Sequence, residues 1–389
     1  MSKRERWELR SLQSAPLKVK IALTQQRIRE WVNEYGVDGV YVAFSGGKDS
    51  TVLLDIVRKM YPTVKGVFCD TGLEFPEIRD FVGKFDNIDW LKPEMTFKQV
   101  INRFGYPFIS KESSEKIRGA RKYLRFLMEE DDDLKKYLSQ GWTIVRLIDS
   151  KELQKIVMNR PDGEKGRRYL AMVLGMIRRD GTIGINIPAK ERAPFMKVQW
   201  QYFLDAPFEI GDSCCRIMKK DITHKYQKDT GRMPMTAQMA CESKLRTTQW
   251  LQHGCNGFEL KNPISNPMAF WLEQDVLLYA KIFNLSLCPL YGNIVSNNDQ
   301  INYNYNNLDI CVLEEDYPEL KTTGYKRTGC MFCGFGCQLE SPEDSRFTLM
   351  AKTHPQQYNY IMRPTDEGGL NYKQIIDWIN EHLHTDIRY

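Results

Sequence analysis

The sequence predicts an α/β fold built on a doubly wound, mainly parallel sheet, and two observations carry that prediction. The first is Ser45-Gly46-Gly47-Lys48-Asp49-Ser50, which follows an apolar run from Val37 to Phe44 and opens a helix expected over Thr51 to Met60. Adjacent glycines let the backbone approach a ligand, N–H groups at a helix start attract anions, and Lys48 adds a mobile positive charge. The junction therefore reads as a phosphate cradle for a nucleotide. The second is a strand expected over Val64 to Cys69, ending in Asp70-Thr71-Gly72-Leu73-Glu74-Phe75-Pro76-Glu77 and followed by a helix over Ile78 to Phe85. Together they make a β-α-β unit with Asp70 at the carboxyl end of its second strand, where open α/β sheets place ligand loops.

The remaining elements follow in chain order. Leu17 to Tyr35 carries Ile21, Leu23, Ile28 and Trp31 among polar residues, the pattern of a helix packed on a sheet. Ile88 to Leu91 reads as a third strand and Phe97 to Phe104 as a helix stopped by Gly105-Tyr106-Pro107. From Lys111 to about Val198 charge becomes dense, with an acidic run over Glu129 to Asp133 and a hairpin around Arg179-Asp180-Gly181-Thr182. This is an insertion, read either as packing or as a surface on which Arg118, Arg121, Lys122, Arg167 and Arg168 touch an acceptor macromolecule. The core is expected to resume at Val198 to Leu204, with a later helix over Asp275 to Phe283 and a polar surface loop over Asn297 to Asn307. Tyr372 to His384 reads as a closing helix with Ile375, Ile376, Trp378 and Ile379 on or near its buried side. The expected segments are a helical N-terminus (1–36), two core parts (37–110 and 198–310) flanking the insertion (111–197), and a cysteine-bearing C-terminal segment (311–389).

At 389 residues the chain is long enough for one large α/β domain with an insertion, or for two domains. Hydrophobic residues at 42% and charged residues at 27% suit a globular enzyme and leave little room for long disorder. The net charge of +5 is mild, as compatible with a solvated surface as with anionic substrates or RNA. The charged stretch from Met1 to Arg10 does not resemble a signal peptide, and the apolar window from Phe270 to Leu290 is interrupted by Glu273, Asp275 and Lys281. A cytoplasmic protein without a membrane partner is the expectation.

Ten cysteines without a secretion signal argue for reduced thiols or a metal site over a disulfide framework. Cys214 and Cys215 are adjacent, and Cys330 and Cys333 form a C-x-x-C followed by Gly334-Phe335-Gly336-Cys337. Two such pairs can supply four thiolates to a 4Fe-4S cluster or a structural zinc, and the adjacent pair favours iron, because zinc sites usually draw two spaced pairs. Cys337 stays open between a spare ligand, a sulfur-carrying nucleophile and an inert thiol. Cys69, Cys241, Cys255, Cys288 and Cys311 read as core, and His224, His253 and His354 as structural histidines.

The phosphate cradle lacks the glycine spacing of a Walker A motif and resembles the PP-loop of the adenine nucleotide alpha hydrolase superfamily. With Asp70-Thr71-Gly72, Glu242-Ser243-Lys244-Leu245-Arg246, Trp271 to Tyr279 and the four paired cysteines in that order, the chain resembles the iron-sulfur branch of the phosphoadenylyl sulfate reductase family. The resemblance implies a PP-loop sheet and a 4Fe-4S cluster on Cys214, Cys215, Cys330 and Cys333. It also implies a phosphate-recognising Arg246 beside Glu242 and Ser243. Members either split ATP into AMP and pyrophosphate to adenylate an acceptor, or reduce a bound sulfonucleotide.

The gap from Cys215 to Cys330 is longer than the family pattern, and the chain closes on His384-Thr385-Asp386-Ile387-Arg388-Tyr389 where the reductases carry Glu-Cys-Gly. The leading expectation is accordingly an ATP pyrophosphatase that adenylates an acceptor for sulfur transfer. Its partners would be an adenine nucleotide with magnesium, an acceptor such as tRNA or DNA, and a sulfur or electron donor protein. Ser45, Gly46, Gly47, Lys48 and Ser50 would hold phosphate, with Asp49 holding magnesium through water or bracing the loop. Asp70, Thr71 and Gly72 would face ribose or metal, or Asp70 would cap its strand. Two alternatives stand beside this reading: reduction of phosphoadenylyl or adenylyl sulfate with Cys337 as the thiol, and a nucleotide-binding module with a structural cluster.

Overall fold

The structure is a computed structural model that describes residues 4–296, 319–326, 328–341 and 345–389. The chain forms two compact units, Met1–Glu94 with Met218–Met331, and Met95–Ile217 with Phe332–Tyr389. The first unit opens with α1 (Arg6–Gln13), α2 (Leu17–Tyr35), β1 (Val40–Ala43), α3 (Lys48–Met60), β2 (Lys65–Cys69), α4 (Pro76–Val82) and β3 (Ile88–Leu91). The second follows with α5 (Phe97–Phe104), β4 (Phe108–Ile109), α6 (Lys111–Glu130), α7 (Asp132–Ser139), α8 (Ile144–Asp149), α9 (Glu152–Asn159) and α10 (Arg167–Val173). The first resumes with α11 (Asp221–Thr230), β5 (Met233–Met235), α12 (Lys244–His253), β6 (Asn256–Gly257), β7 (Ile264–Ser265), α13 (Glu273–Ile282), β8 (Ile294–Ser296) and β9 (Leu320–Thr322). The second closes with β10 (Gly334–Phe335), α14 (Arg346–Thr353), α15 (Pro355–Met362) and α16 (Tyr372–Leu383).

The first unit is an α/β fold on a six-stranded sheet of order β3-β2-β1-β5-β7-β6. Every neighbouring pair is parallel except β6 with β7. Tyr41 lies opposite Lys65 on one side of β1, and Val40 lies opposite Met233 on the other. From β1 the chain builds outward through β2 and β3, then returns to the far side of β1 as β5. Strand order therefore reverses between β1 and β5, and an open α/β sheet forms its ligand crevice at the carboxyl ends of such a pair. Val40, Val42, Val67 and Phe68 are buried, and α11 packs Tyr226 edge-on against Tyr41 with ring centroids 5.3 Å apart.

Helix α2 has the expected bounds but a different inner face. Leu17, Ile28, Trp31 and Val32 are buried together with Lys20 and Thr24, while Ile21 and Leu23 are half-buried. The fully buried Lys20 Nζ donates to both oxygens of Asp275 at 2.9 and 2.8 Å, and Trp271 Nε1 donates to Thr24 Oγ1 at 2.8 Å. Polar groups tolerate burial when each is matched this way, and the matching residues come from a segment that helical periodicity cannot see. Helices α3 and α4 start earlier than the apolar pattern suggested, α4 because Pro76 suits its first turn.

The second unit carries the insertion as α6 to α10, and Ile177 pairs antiparallel with Ile183 across the expected turn at Asp180-Gly181. Val198–Asp205 is a 3₁₀ helix within this unit, not a return to the sheet, which comes only from Met218. Strands β4 and β10 pair in parallel, and the fully buried Tyr372 of α16 packs on Phe108, its hydroxyl donating to the Phe332 carbonyl at 2.5 Å. Ile375, Ile376 and Ile379 are buried as expected, with Trp378 half-buried. The expected loop over Asn297 to Asn307, and Cys311, lie outside the described residues. Among the described residues no helix is long and apolar enough to cross a membrane.

Candidate functional site

A cavity of about 550 Å³ opens in the first unit at the reversal of strand order. Its wall joins the loop after β1 (Ser45, Gly47, Lys48, Asp49, Ser50) to the stretch after β5 (Thr236 to Met239) and to Glu242 and Arg246 at the start of α12. The loop is tightly built. Gly46 has φ +71°, and a β-carbon there would lie 2.8 and 2.9 Å from the side chains of Val82 and Ile78. The Ser50 hydroxyl donates to the Gly47 carbonyl at 3.0 Å and accepts from the Ser45 N–H at 3.2 Å, and Ser45 Oγ accepts from the Gly47 N–H at 3.3 Å. Both serines thus brace the cradle.

Lys48 heads α3 and is buried, with Nζ 3.5 Å from Asp49 and 3.2 Å from Glu273. Burial works against its charge, but Asp49 and Glu273 outweigh it and hold the amine above its ordinary pKa. Burial also raises the Asp49 carboxyl, against the pull of Lys48. Its Oδ1 is buried and has no hydrogen-bond partner among the described residues, the 3.5 Å approach to Lys48 being an ion pair only. The Lys48 N–H donates to the Tyr291 hydroxyl at 3.1 Å, and that hydroxyl lies 2.7 Å from Thr328 Oγ1.

Arg246 forms an ion pair with Glu242, and the same carboxylate accepts the Met239 N–H at 2.8 Å. Ser243 caps α12 by accepting the Arg246 N–H at 3.3 Å and is not in the cavity wall. Lys219 is in that wall, 3.3 Å from Glu74; burial opposes its charge, while Cys330 and Glu74 hold its pKa up. Asp70 is buried at the end of β2, accepting from Arg79 at 3.0 Å, and Thr71 bonds to Glu74. Neither they nor Gly72 line the cavity. The wall instead includes Glu273, Tyr291, Thr328 and Cys241, none of which the sequence marked as site residues. Cys241, expected in the core, is exposed as a residue, but its Sγ turns inward to donate to the Trp271 carbonyl at 3.5 Å, where desolvation and then nearby Asp49 raise its thiol.

The paired cysteines are distributed differently. Cys214, Cys215, Cys333 and Cys337 belong to the second unit and Cys330 to the first. Burial raises the Cys333 thiol, Cys215 adds to the shift, and the Cys333 carbonyl accepts from Arg346 at 2.7 Å. Cys337 is buried, its thiol pushed up to about 12 by desolvation, so it is a poor nucleophile. Four thiols are the right donors for an iron-sulfur cluster, yet among the described residues no group of three or more His, Cys, Asp or Glu is gathered to hold a metal.

Residues 39–156 match the family model of the phosphoadenosine phosphosulfate reductase domain, a stretch that holds the phosphate loop but neither Arg246 nor the paired cysteines. An adenosine 5'-phosphosulfate reductase of Geobacillus kaustophilus is 36% identical over 78 residues, 18% of this chain and 33% of that protein. An uncharacterized protein of Methanocaldococcus jannaschii is 46% identical over 46 residues, 12% of this chain and 11% of that one. The chain thus spans a third or less of the curated relatives it matches. A solved phosphoadenylyl-sulfate reductase from Candida auris, in a phosphate complex, aligns over 69% of this chain and 82% of its own at 14% identity and a TM-score of 0.33.

Proposed function

We propose, from the match of residues 39–156 to the phosphoadenosine phosphosulfate reductase domain, that the chain is an enzyme of the PP-loop superfamily that binds an adenine nucleotide in the β1–β5 cavity and adenylates an acceptor for sulfur transfer. The observation that carries this reading is the convergence of Lys48, Lys219 and Arg246 on one cavity headed by the glycine loop. In the reaction an acceptor oxygen attacks the α-phosphorus of ATP, the bond to the bridging oxygen breaks, and pyrophosphate leaves with the electron pair. Lys48 offsets the charge of the leaving group, loop N–H groups donate to its oxygens, and Arg246 orients a phosphate through its planar fork. Asp49, whose Oδ1 has no hydrogen-bond partner among the described residues, would hold magnesium, which would supply further charge neutralisation when bound. A sulfide-level nucleophile brought by a sulfur donor then attacks the acceptor atom that carries the adenylated oxygen, the new bond to sulfur forming as the bond to that oxygen breaks and AMP leaves with its electron pair.

ATP chemistry is favoured over sulfonucleotide reduction because desolvation, with nearby Asp49 adding to it, raises the pKa of the cavity's cysteine, Cys241, and disfavours its thiolate, and Cys337 is buried in the other unit. The test is pyrophosphate release from ATP with candidate acceptors, against sulfite release from adenylyl or phosphoadenylyl sulfate with reductant. Pyrophosphate that is lost in Lys48→Ala supports adenylation; sulfite production that depends on Cys241 or Cys337 removes it. A 4Fe-4S cluster on Cys214, Cys215, Cys330 and Cys333 is a separate proposal through which no step is routed. About four irons per anaerobically purified chain would support it, and one zinc without sulfide would end it.

A further inference from the structure

The second unit holds a cavity of about 530 Å³ along α6, and its wall interleaves aromatic rings with cations. Phe126 and Tyr169 line it although they are 41% and 36% exposed, a large apolar cost for side chains left facing water. Tyr169 lies against the helix where residue 119 is glycine; a β-carbon there would be 2.7 Å from its ring. Tyr123 lies beside Phe126, with centroids 5.9 Å apart and planes 25° from parallel.

The charges around these rings are unevenly paired. Glu115 is 3.3 Å from Lys116, and Glu164 is occupied by Arg160 and by the Tyr123 hydroxyl, so both acidic residues of the wall are already neutralised. Of the cations, Arg118 donates to Asp212 at 2.8 Å, whereas Lys122 and Lys165 are exposed with no carboxylate partner among the described residues. Two basic residues that the sequence offered for acceptor contact are excluded. Arg121 is spent on the carbonyls of Phe203, Ala206 and Phe208, and Arg167 is buried against Asp162 and the Val157 carbonyl.

We propose that this cavity is a platform for single-stranded nucleic acid, with Phe126 and Tyr169 stacking bases and Lys122 and Lys165 meeting phosphates. Partly exposed rings that already carry cations over them, Arg160 at Phe126 and Lys116 at Tyr169, and that are flanked by the exposed Lys122 and Lys165, are what a polyanion of stacked bases recognises, and every base has a π-face to offer. The proposal deepens the reading above by naming the class of acceptor, and it rests on that reading only for the word acceptor.

The test is fluorescence anisotropy of the full chain, without ATP, with labelled oligouridylate and oligothymidylate of about ten nucleotides. Saturable binding that weakens with salt is expected for one or both. Phe126→Ala and Tyr169→Ala should each weaken binding by roughly 5- to 100-fold, and Lys122→Ala should reduce the salt slope by about 0.7. All three side chains are exposed, and Lys122→Glu provides a variant that leaves the rings intact. No binding below about 10⁻⁴ M, unchanged affinity in both ring variants, or equal displacement by polyglutamate would overturn the platform. ATP binding, measured separately, keeps the two proposals apart, because oligonucleotide binding can be lost while ATP affinity stands, and the reverse.

Discussion

The β1–β5 cavity and the α6 cavity both gather positive charge, but they treat it in opposite ways. In the cavity Lys48 faces Asp49 and Glu273, Arg246 faces Glu242, and Lys219 faces Glu74. Along the α6 cavity Lys122 and Lys165 face solvent. Paired, partly buried cations are held in place and escape much of the screening by salt, whereas exposed ones bind loosely and lose strength as salt rises. The first arrangement suits one small anion in one geometry. The second suits a long polyanion in many.

The largest effect should come from the buried pairing that anchors the first unit. Lys20→Met removes the buried cation that donates to both Asp275 oxygens, and urea unfolding should show a loss of about 3–5 kcal/mol, with Lys20→Met/Asp275→Leu recovering most of it. A loss below about 1 kcal/mol would mean that internal pairing is not what holds this unit together. Gly46→Val comes next, because it combines a left-handed backbone with contacts to Val82 and Ile78, and it should cost about 3 kcal/mol and abolish ATP binding by calorimetry. Retained ATP affinity in the folded variant would remove the loop from the site.

Arg246→Lys keeps the charge and loses the fork, so ATP affinity should fall about tenfold while oligonucleotide binding is unchanged. An equal fall in both would collapse the distinction between the two regions. The smallest effect concerns Asp49. Burial raises its carboxyl, so the folded chain binds this proton more tightly than the unfolded one; that contribution is full below about pH 4 and fades as pH rises through the raised value. Asp49→Asn should therefore raise Tm by about 2 °C at neutral pH and leave it unchanged in acid, as thermal scans at both would read.

What the sequence made legible was local. The glycine loop, the bounds of α2, the third strand and the buried isoleucines of α16 all follow from patterns contained within a dozen or two residues. What it hid was partnership across the chain. Tyr291 and Thr328 reach the loop through contacts more than two hundred residues away in sequence, and nothing near either residue signals that role. Cys241 was read as core because an isolated cysteine usually is, yet α12 starts beside it and leaves it in the cavity wall. The return to the sheet was placed at Val198 because Val198 to Leu204 is apolar, but a 3₁₀ helix buries Phe203 and Leu204 within the second unit equally well.

The Tyr291 hydroxyl has a consequence for selectivity. By accepting the N–H at the head of α3 it serves as a resident oxygen where a phosphate oxygen would arrive, and Thr328 steadies it there. A ligand entering the loop must exchange one oxygen for another. A neutral hydroxyl on a competitor gains almost nothing from that swap, since the bond it makes equals the bond it breaks. An ionised phosphate gains the difference between a charge-assisted and a neutral hydrogen bond, on the order of 1 kcal/mol. The N–H at the head of α3 is thus already satisfied against a neutral hydroxyl, and an anion would gain most by displacing the Tyr291 oxygen.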